Sequence, residues 1–330
     1  MHRPAFVLLS VVLLAACSRD SFAQSANANL VANKETTDIP VVFHPKTFAI
    51  WSGGALVVVE DRVSNSPLVH VVDREGKEIS RFFLTIPQGG GFVIGDWSVA
   101  RGRDGSIAIV GSVDFPEERG SFLAIVASDG SNQKIVRLSP YRPQSVTVAG
   151  DGAIWVVGSS HIEPNTMPDR NQDLIRRYDK SGKLLDSFIT WESMETEGPN
   201  KPALGSVLMA SNDRVAWYSR GAHTYMEFSL NGRVITRVKS WNSSVKHPFD
   251  WPVLCDDGNV FVGEQMNVFR EHAQPDQEIR WGVFMLERET GKWNFTPRKE
   301  LPLLLGCDGT QIASTTDFGR SITWLASAAH

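Results

Sequence analysis

The sequence lacks the short motifs that identify most enzymes. It contains no G-x-S-x-G nucleophile elbow, no H-E-x-x-H zinc motif, no phosphate-binding loop and no C-x-x-C-H haem site. It also lacks an excess of basic charge, because its net charge is -4. The motif content therefore assigns no reaction, and the charge balance argues against a nucleic-acid partner.

Long hydrophobic runs are absent after the beginning of the chain. Following a short positive start, "AFVLLSVVLLAA" (5–16) forms a twelve-residue apolar run. This run is too short for a stable transmembrane helix and is typical of a signal peptide. No later stretch approaches the roughly eighteen apolar residues that a membrane-spanning helix needs.

The signal ends in "LLAAC", which resembles the lipobox of bacterial lipoproteins. The resemblance implies cleavage before Cys17 and lipid modification of that cysteine, and several acyl chains on one residue would anchor the protein firmly to a membrane. Ser18 resembles the residue found here in lipoproteins sent to the outer membrane. The alternative is an ordinary secretory signal cut after Ala23, which would leave a soluble periplasmic protein.

The residues after the lipobox, 18–38, are rich in Ser, Ala, Asn and Thr and show no apolar period. This composition predicts a flexible tether between the anchor and the folded part of the chain. The expected organisation is therefore a signal peptide with its lipobox at 1–17, a tether at 18–38 and one repeat domain at 39–330.

A strand-turn-strand pattern occurs six times in the repeat domain. Its turns are Gly53-Gly54, Asp104-Gly105, Asp151-Gly152, Asn212-Asp213, Asp257-Gly258 and Asp308-Gly309. Successive turns lie about 45 to 61 residues apart, which is the spacing of propeller blades. Asp-Gly and Asn-Asp pairs supply the positive backbone angles of a two-residue hairpin, so each turn is expected to join two antiparallel strands.

A second glycine hairpin follows most of the first ones, as in "IRRYDKSGKLLDSFI" and "MEFSLNGRVITRVKSW". Each unit therefore contains four antiparallel strands, here called A to D, and six units predict an all-β, six-bladed propeller. The sixth unit lacks strand D, and "IPVVFH" (39–44) precedes the first unit without a partner. We expect this N-terminal strand to complete the last blade and close the ring.

The motif D-G-x-I-x-V followed by Y-D-x-S-G-K is clearest at 151–156 and 178–183. It resembles six-bladed propellers of the NHL, TolB-like and regucalcin or gluconolactonase kind, over nearly the whole chain from residue 39. The resemblance implies the fold and leaves the function open, because this architecture hosts lyases, hydrolases, dehydrogenases and pure binding modules.

In a four-stranded meander, the A–B and C–D turns lie on one face, which we call the short-turn face. The B–C and D–A connections lie on the other, the long-loop face. Long irregular segments such as 159–173, 191–202, 241–251 and 264–281 belong to the long-loop face. Long loops on a rigid scaffold usually carry binding residues, so this face is the expected site for a small molecule, a glycan or a protein partner.

Tryptophan and histidine are concentrated in these connections. Tryptophan combines a large apolar face with a polar N–H group, which suits sugar rings, peptides and aromatic ligands. The candidate ligand-binding residues are Trp191, Trp251, Trp281, His161, His223, His247, His272 and Glu264. The alternative is that the tryptophans pack between blades at strand ends.

No cofactor is predicted, although the histidines and nearby carboxylates are suitable metal ligands and a cation in the central channel stays open. The leading hypothesis is a lipid-anchored binding propeller. The rivals are a propeller enzyme of the lactonase, lyase or sugar dehydrogenase type and a scaffold subunit of an envelope complex. Carboxylates or imidazoles converging on the wide mouth of the channel would favour catalysis, and an apolar mouth would favour binding.

Two cysteines remain after Cys17. Cys255 and Cys307 occupy near-equivalent positions at the ends of strand A in adjacent blades. An exported protein permits a disulfide between them. The argument against it is that neighbouring inner strands of a propeller are often too far apart for bridge geometry, in which case both residues are small buried side chains.

Overall fold

The structure is a computed structural model that describes residues 31–38, 48–60, 66–85, 91–92, 97–114, 119–160, 171–194, 205–240, 251–266, 280–298, 303–315 and 321–326. Almost all of these residues lie in strands or tight turns. Among them the sole helix is the single 3-10 turn Glu192–Met194, and no helix has the length and apolar character needed to cross a membrane.

The described residues contain 25 strands, numbered along the chain. They are β1 (Val31–Asp38), β2 (Phe48–Ser52), β3 (Ala55–Glu60), β4 (Leu68–Val72), β5 (Glu78–Phe83), β6 (Gly91–Phe92), β7 (Ser98–Arg101), β8 (Ile107–Asp114), β9 (Arg119–Val126), β10 (Lys134–Arg137), β11 (Tyr141–Val148), β12 (Ile154–Ser160), β13 (Asp173–Tyr178), β14 (Leu184–Thr190), β15 (Ser206–Ala210), β16 (Arg214–Ser219), β17 (Thr224–Ser229), β18 (Val234–Lys239), β19 (Val253–Leu254), β20 (Val260–Met266), β21 (Arg280–Glu287), β22 (Lys292–Arg298), β23 (Leu303–Asp308), β24 (Gln311–Thr315) and β25 (Ser321–Ala326).

The strands form six antiparallel sheets that follow one another along the chain, which confirms the predicted six blades. Blade 1 is β2-β3-β4-β5, blade 3 is β11-β12-β13-β14, blade 4 is β15-β16-β17-β18 and blade 5 is β19-β20-β21-β22. Blade 6 contains β23, β24 and β25 together with β1. The innermost strands contact each other in sequence, from β2 through β7, β11, β15, β19 and β23 back to β2. The sheets therefore form a closed ring.

Blade 2 divides its innermost position between two strands. Both β6 and β7 pair with β8, β6 near Asp114 and β7 between Ile107 and Val110. The strands β9 and β10 complete this sheet.

Strand β1 is the outermost strand of blade 6. It pairs antiparallel with β25, with Thr36 opposite Thr323 and Asp38 opposite Ser321. These residues lie within the segment 18–38 that was expected to be a tether, so the structure corrects the end of that segment. The expectation rested on polar side chains, but an outermost strand needs only backbone hydrogen bonds to one neighbour. The segment 39–44, which was predicted to close the ring, lies outside the described residues.

Most of the short turns share one hydrogen-bonding pattern. After β11, the Ala149 amide donates to the Ala153 carbonyl, and the Gly152 amide donates to the Ala149 carbonyl. The loop therefore has three residues rather than the expected two, with Gly152 in the left-handed region at a φ of 81°. Asp151 Oδ1 accepts a hydrogen bond of 3.0 Å from the Ala153 amide, which explains why aspartate precedes the glycine.

The turn between β15 and β16 is different. The Ser211 amide donates to the Arg214 carbonyl across a two-residue loop. Neither Asn212 nor Asp213 has a positive φ. The positive backbone angles expected for this pair are therefore wrong, and the side chain of Asp213 instead accepts a hydrogen bond of 3.0 Å from Arg214.

Clusters of buried apolar side chains fill all six interfaces between neighbouring blades. Between blades 3 and 4, Trp155 packs against Phe228 with ring centroids 5.9 Å apart. Between blades 6 and 1, Trp51 and Trp324 meet edge to face at 4.7 Å. Because blades 6 and 1 share a core as the other pairs do, side-chain packing closes the ring independently of β1.

Candidate functional site

The innermost strands surround a central cavity of about 860 Å³. One strand from each blade lines it, namely β2, β7, β11, β15, β19 and β23. Strand β23 lines the cavity from Leu303 to Asp308, and a strand of this length spans about 17–20 Å. The cavity is therefore a channel along the axis of the ring, with a volume in the range of small-molecule binding sites.

The mouth of the channel on the long-loop face is uncharged among the described residues, and its exposed side chains are apolar, while the hydroxyls of Ser98 and Thr315 are buried in its wall. Trp251, just before β19, lines the channel and is 50% exposed, and Leu303 at the start of β23 is 47% exposed. Ala49 and Val207 line the cavity near the starts of β2 and β15. Of the described residues that line this mouth, none carries a carboxylate or an imidazole. An apolar mouth is the arrangement that favours binding over catalysis.

Serine hydroxyls connect neighbouring inner strands along the wall of the channel. Ser98 Oγ accepts a hydrogen bond of 3.1 Å from the Val146 amide, which joins blade 2 to blade 3. Ser145 Oγ accepts one of 3.0 Å from the Leu208 amide, which joins blade 3 to blade 4. Each bond satisfies a buried backbone N–H group at the channel wall that forms no hydrogen bond within its own sheet. The serines therefore fix the spacing between neighbouring inner strands.

The mouth on the short-turn face is crossed by an ion pair. Arg103 Nη2 of blade 2 lies 2.9 Å from Asp256 Oδ2 of blade 5, and these blades stand opposite each other in a ring of six. The other carboxylate oxygen of Asp256 accepts a hydrogen bond of 3.2 Å from the Asn212 amide, which holds it at the rim. The channel is thus obstructed by charged groups at one end and bordered by apolar groups at the other.

A second arginine lines the channel near this mouth. The partly buried Arg101 donates a hydrogen bond from Nη1 to the Gly53 carbonyl. Burial lowers the pKa of Arg101, and the nearby Asp104 opposes that effect. Within the described residues Arg101 forms no ion pair. Since arginine stays protonated in proteins, the channel wall carries a partly desolvated positive charge there.

The predicted ligand-binding residues have different positions in the structure. Trp251 lies at the apolar mouth. Trp191 is buried in the core between blades 3 and 4, where it is 5% exposed. This position corrects its assignment to a binding surface and agrees with the alternative that such tryptophans pack between blades. The cause is the 3-10 turn Glu192–Met194, which folds the start of that connection back onto the core.

His223 lies in the short turn between β16 and β17, with a φ of 46°. It is partly buried, and burial together with the nearby Lys239 lowers the pKa of its imidazole. It does not belong to the lining of the channel. A role for His223 in binding the same ligand as Trp251 is therefore unsupported by its position.

For two further candidates the structure describes only the backbone. Glu264 pairs with Gly282, and Trp281 pairs with Gln265, at the long-loop end of blade 5. The remaining candidates lie outside the described residues, namely His161, His247, His272 and the lipidation residue Cys17. Within the described part of the chain, no group of three or more His, Cys, Asp or Glu residues could hold a metal ion.

Cys255 and Cys307 are joined by a disulfide in the structure, with their Cα atoms 5.1 Å apart. The expected obstacle, that inner strands stand too far apart, is wrong at this interface. The two residues lie at the short-turn ends of β19 and β23, where the Asp256 amide also donates to the Gly309 carbonyl. The inner strands of blades 5 and 6 are thus close enough at this end for a covalent link.

The charged mouth was not predicted from the sequence, because the long loops were expected to carry the binding residues. Its residues stand in the short turns, at "ARGRDG" (100–105) and "CDDG" (255–258). The only signal was an arginine or aspartate beside a turn glycine, which is common at exposed hairpins. That Arg103 and Asp256 meet across the axis follows from the number of blades and their closure.

The fold and the site together define the molecule as a six-bladed β-propeller with a ligand-sized channel that is apolar at one mouth and charged at the other. No protein-family model and no curated protein matches the sequence. Many solved structures resemble it. Hydrazine synthase from Kuenenia stuttgartiensis is 16% identical, with 86% of this chain and 76% of that chain covered and a TM-score of 0.47.

Two smaller solved structures are similar over most of both chains. A gluconolactonase from Xanthomonas campestris is 14% identical and covers 90% of this chain and 98% of its own, with a TM-score of 0.46. The calcium-binding regucalcin of Agrobacterium tumefaciens is 13% identical and covers 88% and 90%, with a TM-score of 0.45. Similarity this low carries no argument about ligand or activity.

Proposed function

We propose that this protein is a binding propeller that holds a small, largely apolar molecule in its central channel. The observation that carries the proposal is the asymmetry of a cavity of about 860 Å³, which is apolar at the mouth beside Trp251 and crossed by an ion pair at the other mouth. Such a pocket admits a ligand from the long-loop face and stops it at the short-turn face.

The apolar mouth supports binding through the hydrophobic effect and aromatic contact. A half-exposed tryptophan can stack on a flat ligand and remove apolar area of both from water. Leu303, on the neighbouring blade 6, adds a second exposed apolar surface beside Trp251. A molecule that contacts both would remove more apolar area from water than one on Trp251 alone, and the channel wall would bury the rest of it, as small-molecule sites usually do.

The test is the binding of N-phenyl-1-naphthylamine, an uncharged aromatic probe that fluoresces in apolar sites. Replacing Trp251 with Ala should weaken its binding by roughly tenfold, because a lost aromatic contact is worth on the order of 1–3 kcal/mol. The matched control is Ile235→Ala, since Ile235 is 48% exposed on the outer strand β18, away from the channel. This variant should bind the probe as the unchanged protein does.

The proposal fails if the probe does not bind, or if Trp251→Ala and Ile235→Ala have the same effect. Binding that only Ile235→Ala weakens would place the apolar ligand on the rim of the blades. Capture of a protein partner that Trp251→Ala leaves intact would instead support a scaffold role.

We further propose that the propeller works in the bacterial cell envelope, attached through lipid on Cys17 to the outer membrane. The lipobox resemblance and the apolar signal support this location. In cells, the protein should fractionate with membranes, and Cys17→Ser should release it to the soluble fraction. An unchanged membrane fraction for Cys17→Ser would contradict the anchor, and a wholly soluble parent protein would favour cleavage after Ala23.

A further inference from the structure

Two arginines and two aspartates line the short-turn end of the channel, and three of these four groups take part in ion pairs. Arg103 pairs with Asp256, and Arg74 Nη1 lies 3.3 Å from Asp308 Oδ2. Asp104, whose charge acts on Arg101, is itself bound by Lys180. Among the described residues, the charge of Arg101 therefore has no carboxylate of its own.

From this arrangement we infer that the ligand carries an oxyanion group, which binds the Arg101 guanidinium at the closed end of the channel while its apolar body lies against Trp251. The inference rests on the proposed function and adds the chemical class of the ligand. An oxyanion here means a carboxylate, sulfonate or phosphate ester on an apolar body.

The geometry of the channel fits such a molecule. Arg101 and Trp251 belong to opposite blades and to opposite ends of the cavity, and both line it. The channel is about 17–20 Å long. A ligand that contacts both residues is somewhat shorter than this, because the two side chains extend into the channel. A guanidinium has five N–H donors, and Nη1 of Arg101 donates to the Gly53 carbonyl. The other N–H groups of the guanidinium can therefore donate to an oxyanion.

Burial of the arginine strengthens the argument. A guanidinium that is partly removed from water, with a backbone carbonyl as its hydrogen-bond partner, gains more from an anion than an exposed one does. The alternative ligand, a cation at Asp256 or Asp308, would have to displace Arg103 or Arg74 from its ion pair. The wall therefore selects negative charge.

The experiment compares two probes that differ only by a sulfonate group, 1-anilinonaphthalene-8-sulfonate and the uncharged N-phenyl-1-naphthylamine. Arg101→Gln should weaken binding of the sulfonate about tenfold and leave binding of the uncharged probe unchanged. Lys77→Gln is the matched control, because it removes an exposed positive charge from a turn on the same face, outside the lining of the channel. It should change neither affinity by more than about twofold.

Arg101→Lys keeps the positive charge, so it distinguishes loss of charge from a general effect of replacing this residue on folding. It should retain most of the preference for the sulfonate, and circular dichroism should show that both variants keep the β signal of the parent. Decanoate, which has an apolar body, should displace the sulfonate probe, while inorganic phosphate should not. Displacement by inorganic phosphate would mean that the site is a simple anion site.

The outcomes separate the two proposals. If Trp251→Ala weakens the uncharged probe but Arg101→Gln changes neither probe, the channel binds apolar ligands and the anionic class is wrong. If neither Trp251→Ala nor Arg101→Gln affects either probe, the proposed function itself fails. If Arg101→Gln weakens both probes equally, the arginine shapes the channel and does not recognise charge, which also overturns the inference.

Discussion

At two interfaces, between blades 4 and 5 and between blades 2 and 3, a basic residue stands near the start of a C–D turn. Arg288 is the first residue after β21, and its Nη2 lies 2.7 Å from Glu227 Oε2 of blade 4. Lys180 is the second residue of the β13–β14 turn and contacts Asp104 of blade 2. Each basic residue therefore reaches from a C–D turn back to the preceding blade.

The surroundings of the two contacts differ. The carboxylate of Glu227 is fully buried, and it also accepts hydrogen bonds of 3.1 Å from Arg214 Nη1 and 2.7 Å from the Tyr225 hydroxyl. Burial, with Glu227 adding to the effect, raises the pKa of Tyr225. The side chains of Lys180 and Asp104, by contrast, are 58% and 42% exposed.

The comparison teaches that the position of a turn residue decides which blade it contacts, while burial decides what the contact is worth. An exposed pair gains little because water screens it and two long side chains lose freedom. A buried carboxylate that accepts hydrogen bonds from several donors is different, because its removal leaves those donors without an acceptor of opposite charge. The predictions that follow test this difference, beginning with the largest effect.

Replacing Glu227 with Ala should lower the free energy of unfolding by about 3–5 kcal/mol, because two guanidinium groups and the Tyr225 hydroxyl lose their common acceptor. Urea unfolding followed by tryptophan fluorescence measures it. Asp104→Ala, the equivalent change at the exposed interface, should cost less than about 1 kcal/mol. Equal losses in the two variants would show that burial does not distinguish the interfaces.

Removing the disulfide should have the next largest effect, on the same half of the ring. Cys255 and Cys307 are 52 residues apart in sequence, and their link restricts the unfolded chain. Replacing both with Ser should lower the free energy of unfolding by about 2–4 kcal/mol. Peptide mapping without reductant first establishes that the bond is present. A double variant as stable as its parent would contradict a stabilising role for the bond.

The smallest effect belongs to Lys180→Ala, which should cost less than about 1 kcal/mol and lose most of that cost at high salt. Hydrogen bonds from Lys180, the larger cause, and from Ser106 lower the pKa of Asp104 from 3.8 to about 2. A lowered carboxyl pKa stabilises the fold above its ordinary value and ceases to do so as the pH falls through about 2. The stability difference between parent and variant should therefore shrink from pH 5 to pH 2, and a constant difference would contradict the contact.

Much of the fold was accessible from local sequence signals. The turn at Asp151-Gly152 predicted a hairpin correctly, because a residue with positive φ favours glycine and an aspartate side chain caps the turn. The number of residues in the loop was wrong by one, since the hydrogen bonds around Gly152 close a three-residue loop. Strand β1 was not predicted, because an outermost strand does not need alternating apolar residues and its sequence shows none.

The candidate site was predicted less completely. Trp251 and Trp191 have similar sequence surroundings, each next to a long connection, yet one borders the channel and the other lies in the core. Composition cannot separate them, because burial depends on how the connection folds back on the blades. Arg101 and Arg103 were missed since nothing local distinguishes a turn that faces the axis from one that faces solvent.

The chain alone specified six hairpin sheets and an all-β architecture, because period-two patterns and turn glycines act over a few residues and need no distant partner. Closure of the ring decided the rest: that Arg103 meets Asp256, that Cys255 stands beside Cys307, and that Arg101 lines the channel without an ion pair among the described residues. These contacts join residues about 50 to 150 positions apart, and only the packing of blade against blade brings such residues together.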